Sequence, residues 1–156
     1  MNKKCVLSIV LISFVVIART CPCQADTNTK TIKNLIFQYT DRCIDKQVAY
    51  DLARAESSLN PMAEGKDGER GLYQIRRKTW EWLTDMSFDK AYEIEANIIV
   101  AMKYLAWIKK NLGKHYTQAR LIAAYNMGLK GLRDRNYETP KTHRNLIYNK
   151  YYAKGE

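Results

Sequence analysis

The sequence predicts a mainly α-helical domain, and three observations predict it. Apolar residues recur at three- and four-residue intervals through most of the chain, most clearly from Tyr92 to Leu112. Helix punctuation brackets these stretches, with Asp45 and Thr117 at N-cap positions and Gly113 and Gly128 where helices stop. Alternating apolar and polar residues, the mark of a half-buried strand, are scarce outside a patch at Gly71–Ile75.

The first element is not part of the fold. Lys3 and Lys4 precede a predominantly apolar run from Cys5 to Ala18, and Cys23-Gln24-Ala25 offers a small-x-small cleavage site. We expect residues 1–25 to be a cleaved signal peptide, and the protein to be exported to the periplasm or cell envelope. The run falls short of a membrane span of about 20 residues, although retention as an uncleaved anchor is the alternative. Cleavage leaves 131 of 156 residues and lowers the formal charge from +10 to +7 through loss of Lys3, Lys4 and Arg19. Such a length suffices for one core burying roughly two-thirds of the extended surface. The positive charge suits an anionic envelope polymer or a membrane surface, and export argues against a nucleic-acid partner. Cys5, Cys21 and Cys23 leave with the leader, so Cys43 is expected alone, as a small buried apolar residue. A catalytic thiol served by His115 or His143 is the weaker reading of the same cysteine. Two isolated histidines do not make a zinc site, and no metal or cofactor is expected.

In chain order, residues 26–45 read as a polar lead-in, Asp26 to Lys30, followed by a first helix. Ile32, Leu35, Ile36 and Tyr39 fall on one face of it. Asp45 caps the next helix, which carries Val48, Leu52 and Glu56 at four-residue spacing. Pro61 disfavours helical geometry at Asn60, so this helix ends near Glu56, within Ser57-Ser58-Leu59-Asn60-Pro61. From Met62 to Arg70 charged residues mix with Gly65 and Gly68 without any period, which reads as a surface loop. Thr79 opens a short segment with Trp80, Trp82 and Leu83. The helix from about Tyr92 to Leu112 buries Ile94, Ile98, Ala101, Met102, Leu105, Ile108 and Leu112. Thr117 starts a helix with Leu121, Ile122 and Tyr125 on one side, and Gly128 stops it. A last helix is expected from about Thr142 to Tyr152, after Pro140. Domain boundaries follow as residues 26–45 for the lead-in and first helix and 46–152 for the functional domain.

The residue with chemical promise is Glu56. A carboxylate among apolar neighbours, at the negative end of a helix, is driven toward its protonated form. Near neutral pH such a group serves as a proton donor, the role glycosidases give to a buried acid.

Three motifs carry a resemblance. Glu56-Ser57-Ser58-Leu59-Asn60-Pro61, Gly71-Leu72-Tyr73-Gln74-Ile75 and Ala123-Ala124-Tyr125-Asn126-Met127-Gly128 resemble, in order, the signatures of soluble lytic transglycosylase domains. Ala101-Met102-Lys103-Tyr104-Leu105 resembles the family's segment ahead of the third motif, and the likeness covers roughly Lys46 to Tyr152. The resemblance implies a lysozyme-like α-helical fold with a substrate cleft, acting on the glycan strands of peptidoglycan at the MurNAc-β-1,4-GlcNAc bond. It implies Glu56 as catalytic acid and base and 1,6-anhydroMurNAc as product, without metal or cofactor. Ser57, Gln74, Tyr125 and Asn126 match substrate-facing positions, and Tyr73, which replaces the family's commoner methionine, is expected to line the cleft. Each also has a plainer reading: a helix-end hydroxyl, a satisfied loop amide, a buried tyrosine, a helix-ending asparagine and a packed tyrosine. Trp80, Trp82 and Trp107 are read as core aromatics, with sugar stacking as the alternative. Gly65 stands where relatives often carry serine. Leu146 stands where they commonly carry tyrosine, so Tyr148 or Tyr152 must substitute or the role is absent. A monomeric lytic transglycosylase, accessory to envelope-spanning secretion, conjugation or pilus machinery, is the leading expectation. A goose-type lysozyme-like hydrolase using Asp67 or Glu69, and a non-catalytic wall-binding protein of the same fold, are its rivals.

Overall fold

The computed structural model describes residues 22–40 and 42–153, with side chains from residue 28 onward. The expected leader lies almost wholly outside the described residues. Among the described residues six α-helices follow in order: α1 (Pro22–Tyr39), α2 (Lys46–Ser57), α3 (Arg77–Leu83), α4 (Ile94–Leu112), α5 (Gln118–Asp134) and α6 (Leu146–Tyr152). Short 3₁₀ turns cover Phe88–Tyr92 and Gly113–His115. Among the described residues the only β pairing is two isolated bridges, Glu64 with Arg70 and Arg70 with Ile75, so the Gly71–Ile75 patch is not a strand. Residues 26–30, expected as a lead-in, continue α1. No helix among the described residues is long and apolar enough to cross a membrane.

Helix α4 is the axis. Its apolar positions are spread widely enough that α1, α3 and α5 all pack on it. Ile98, Ala101, Leu105 and Ile108 are wholly buried there. Ala123 and Ala124, also fully buried, keep α5 slim where it meets its neighbours. Helix α2 then lies between α1 and α6. The caps behave as local chemistry dictates. Asp45 accepts from the amides of Gln47 and Val48, at 2.8 and 3.0 Å, and Thr117 accepts from Arg120 N at 3.1 Å. Helix α2 stops at a left-handed Ser58, followed by a left-handed Leu59.

One buried polar side chain was not foreseen. Asn97 of α4 accepts from Tyr73 N at 2.9 Å and donates to Arg70 O at 3.1 Å and Ala91 O at 2.7 Å. It satisfies the backbone of the Arg70–Tyr73 turn, which would otherwise be stranded in the core. Gly71 makes that approach possible. Its φ is +77°, and a Cβ there would lie 2.1 Å from Ala91 O and 2.3 Å from Asn97 Nδ2.

Trp82 and Trp107, expected in the core, are exposed, and Cys43 and Gly128 also depart from expectation. Cys43 is exposed rather than buried, because it sits in the turn before Asp45, outside any helix face; its carbonyl accepts from Lys109 Nζ. Gly128 does interrupt α5, at φ +82° and ψ +154°, but a further helical stretch to Asp134 follows directly. We predict that Gly71→Ala costs about 2–4 kcal/mol through clash and left-handed strain. A lowered urea midpoint with unchanged m-value measures it.

Candidate active site

A cavity of about 740 Å³ opens where the end of α2, the loop after it, α5 and the start of α6 converge. Glu56, Gln74, Tyr125 and Asn126 line it together, with Gly65, Glu69, Arg76, Tyr104, Met127, His143 and Tyr148. Four of the six predicted site residues are therefore brought to one place.

Glu56 is partly buried in the last turn of α2. Burial raises the pKa of its carboxyl and the negative charge of Glu69 adds to the rise, while a hydrogen bond from Tyr148 and the charge of Arg144 oppose it. The Tyr148 hydroxyl donates to Glu56 Oε1. Burial and the neighbouring Glu56 hold the phenol well above its ordinary range, so it stays a donor. The Asn126 amide lies against the same hydroxyl and opposes that rise. Tyr148 is thus the tyrosine that faces the acid, while Leu146 is 81% exposed. Tyr152 stacks behind Tyr148, with ring centroids 6.2 Å apart.

Helix α6 begins at Leu146, not near Thr142, so Arg144 and Asn145 lie outside it. Within it Leu146 and Tyr148 fall on opposite faces, and the face that meets the acid is the one bearing Tyr148. Asn145 sets the start. Its Oδ1 accepts from Ile147 N at 2.9 Å, and its Nδ2 donates to Ala55 O at 2.9 Å. One side chain caps the new helix and satisfies an orphan carbonyl at the end of α2. A second tether lies a turn away. Asp51 accepts from Lys150 Nζ at 2.7 Å, Tyr151 OH at 2.6 Å and Gln47 Nε2 at 3.0 Å. Burial alone would raise its pKa, but these bonds outweigh it and hold Asp51 ionised below its usual range.

Gln74 reaches the cavity with a left-handed backbone, φ +48°. Its Nε2 donates to Gly71 O at 2.9 Å and Ala63 O at 3.2 Å, which turns Oε1 toward Gly65. Tyr125 donates to Tyr73 O at 2.6 Å. It does not bond the acid, although burial and then the charge of Glu56 push its pKa far up. Gly128 breaks α5 directly after Asn126 and Met127, which aims both into the cavity.

Ser57 and Tyr73 are elsewhere. The Ser57 hydroxyl donates to Leu72 O at 2.8 Å, fastening the turn to the end of α2. Tyr73 is completely buried and donates to Ala49 O at 3.0 Å. Both stand behind the wall they were expected to form, because the chain spends their hydroxyls on backbone carbonyls that water cannot reach.

The loop contributes charge. Burial pushes Glu69 upward, but its own amide, Arg76 and the Asp67 amide outweigh it and keep it ionised. Glu69 Oε1 accepts from Arg76 Nε at 3.0 Å, and Oε2 from Asp67 N at 3.1 Å. A Cβ on Gly65 would lie 2.3 Å from Glu69 Oε2 and 2.9 Å from Gln74 Oε1. The glycine is thus matched to this glutamate, whose carboxylate fills the space a serine side chain would need.

The chain matches the family model of the transglycosylase SLT domain over residues 34–147. It belongs to that family, whose fold is the lysozyme-like helical one and whose members are in general lytic transglycosylases acting on peptidoglycan. No curated protein matches the chain.

The raised pKa of Glu56 has a linked effect on stability. The folded state binds its proton more tightly than the unfolded chain, so stability is full below the ordinary carboxyl value of 4.5 and declines as pH rises toward the folded-state pKa. Glu56→Gln removes that decline. Thermal melts should show the variant more stable than the parent at pH 7–8, with the difference vanishing at acid pH.

Proposed function

We propose that this protein is an exported peptidoglycan lytic transglycosylase in which Glu56 alone acts as acid and base. The observation supporting this most is a partly buried carboxyl at the cavity wall, its pKa raised, accepting a bond from a phenol that keeps its proton. In the first step protonated Glu56 gives its proton to the oxygen leaving toward GlcNAc as the C1–O bond breaks. The MurNAc N-acetyl oxygen stabilises the cation at C1, taking the part a second carboxylate plays in other glycosidases. Glu56, now an anion steadied by Tyr148, then removes the proton of the C6 hydroxyl, which attacks C1. The products are a 1,6-anhydroMurNAc end and a GlcNAc 4-hydroxyl, and Glu56 has recovered its proton. No water is consumed. Gln74 Oε1 and Asn126 are the groups we assign to holding the sugars, with Tyr125 bracing the Gln74 turn from behind. A small monomeric domain of this kind suits local opening of the wall for secretion, conjugation or pilus machinery.

A second reading, hydrolysis with a loop acid positioning water, draws on Glu69, which is ionised and lines the same cavity. Both of its oxygens are already engaged by Arg76 and Asp67, which leaves it poorly placed to activate water. Non-catalytic wall binding would not require a carboxyl with a raised pKa beneath a dedicated donor.

Mass spectrometry of digested peptidoglycan decides between these. Anhydro ends, one water lighter than reducing ends, are expected, with Glu56→Gln lowering turnover about 10²–10⁴-fold. Reducing ends would establish hydrolysis, and undiminished clearance by Glu56→Gln would remove Glu56 from the chemistry. Tyr148→Phe should lose about 10–100-fold in kcat. Since the Tyr148 bond lowers the Glu56 pKa, its removal should also shift the alkaline limb of the kcat profile to higher pH.

A further inference from the structure

The cavity wall does not end at the cavity. Thr79 of α3 and Tyr104 of α4 line it, and the residue three further along each helix is an exposed tryptophan. Trp82 is 54% exposed and Trp107 is 36% exposed, both large apolar rings presented to solvent. Three residues along a helix is about 4.5 Å on the same face, a step on the order of one pyranose ring. The two tryptophans meet each other, with centroids 4.8 Å apart and planes at 82°. Trp107 lies nearly parallel to Tyr104, at 6.1 Å and 13°, and Tyr104 in turn lies 5.4 Å from Tyr125. One unbroken aromatic row therefore runs from the candidate catalytic centre out to open surface. Core packing does not account for the part of these rings left in water, 54% of Trp82 and 36% of Trp107. Lys103 Nζ, bonded to Leu83 O at 3.4 Å, places a cation at the same α3–α4 junction.

We infer that Trp82 and Trp107 form an outer glycan-binding subsite, which stacks on sugar rings of a peptidoglycan strand beyond those held in the cavity. The occupant is argued from continuity, because the row begins at residues that line the cavity. Its chemistry suits the ligand: sugar rings present C–H faces to aromatic planes, and anionic stem-peptide or lactyl carboxylates suit Lys103. The inference rests on the peptidoglycan reading above, and binding tests it without turnover.

In the Glu56→Gln background, the paired change Trp82→Ala and Trp107→Ala should weaken co-sedimentation with purified peptidoglycan sacculi about tenfold. Binding of a MurNAc–GlcNAc disaccharide, which fills only the cavity, should be unchanged by ligand-observed NMR. The pair Trp82→Phe and Trp107→Phe should restore most of the sacculus binding. Full sacculus binding by the alanine pair overturns the inference, as does an equal loss on the disaccharide. A concentration-dependent dimer that the alanine pair abolishes, with sacculus binding intact, would assign the surface to self-association and also overturn it. An inactive parent chain whose sacculus binding still depends on these tryptophans would sink the catalytic reading alone.

Discussion

A carboxyl group partly withdrawn from water needs a donor that will not itself surrender a proton, and the arrangement of this fold follows from that need. Tyr148 is such a donor because burial, which raises the Glu56 pKa, also raises that of the phenol, and the charge of Glu56 adds to the rise. The two side chains come from α2 and α6, so those helices must be held at a fixed distance. Asn145 bridges them at one place and Asp51 at another. Asn145 is neutral and Asp51 lies outside the cavity lining, yet both help to decide where the phenol sits.

The opposite wall is built by a different economy. The Arg70–Ile75 turn has too few residues to satisfy its own backbone, and it borrows from three helices. Asn97 of α4, Ser57 of α2 and Tyr125 of α5 each bond its main chain. Gln74 is held in left-handed geometry by this framework and by its own bonds to Gly71 and Ala63. Strain at a residue facing a cavity persists only when the surroundings impose it.

What the sequence made legible was local. Asp45, Thr117 and Gly113 act within a few residues of themselves, and the stripe on α4 declares a helix without reference to anything distant. The Glu56 helix and its stop were visible for the same reason, as were Gln74 and Asn126 through their motifs. Failures cluster where a remote partner decides. The start of α6 depends on a carbonyl 90 residues earlier, at Ala55, so spacing alone placed that start too early and left open which tyrosine meets the acid. Ser57 and Tyr73 stand at motif positions, but their hydroxyls answer to buried carbonyls, which no motif reports. Trp82 and Trp107 read as core because tryptophans usually are. Only Trp80 of the three lies on the inner face of the short α3, or of α4 beside it. Gly65 stood out as a departure, and its reason, the Glu69 carboxylate in that space, needed coordinates.

The donor and its acid are 92 residues apart, and the helix bearing the donor has seven residues. A helix that short has no stability of its own in water; its order is lent by the tethers to α2. The ribosome therefore finishes the acid-bearing helix long before the segment that completes it exists. Whatever loosens α6 from α2, proteolysis or a partner's grip included, would take the donor from the acid.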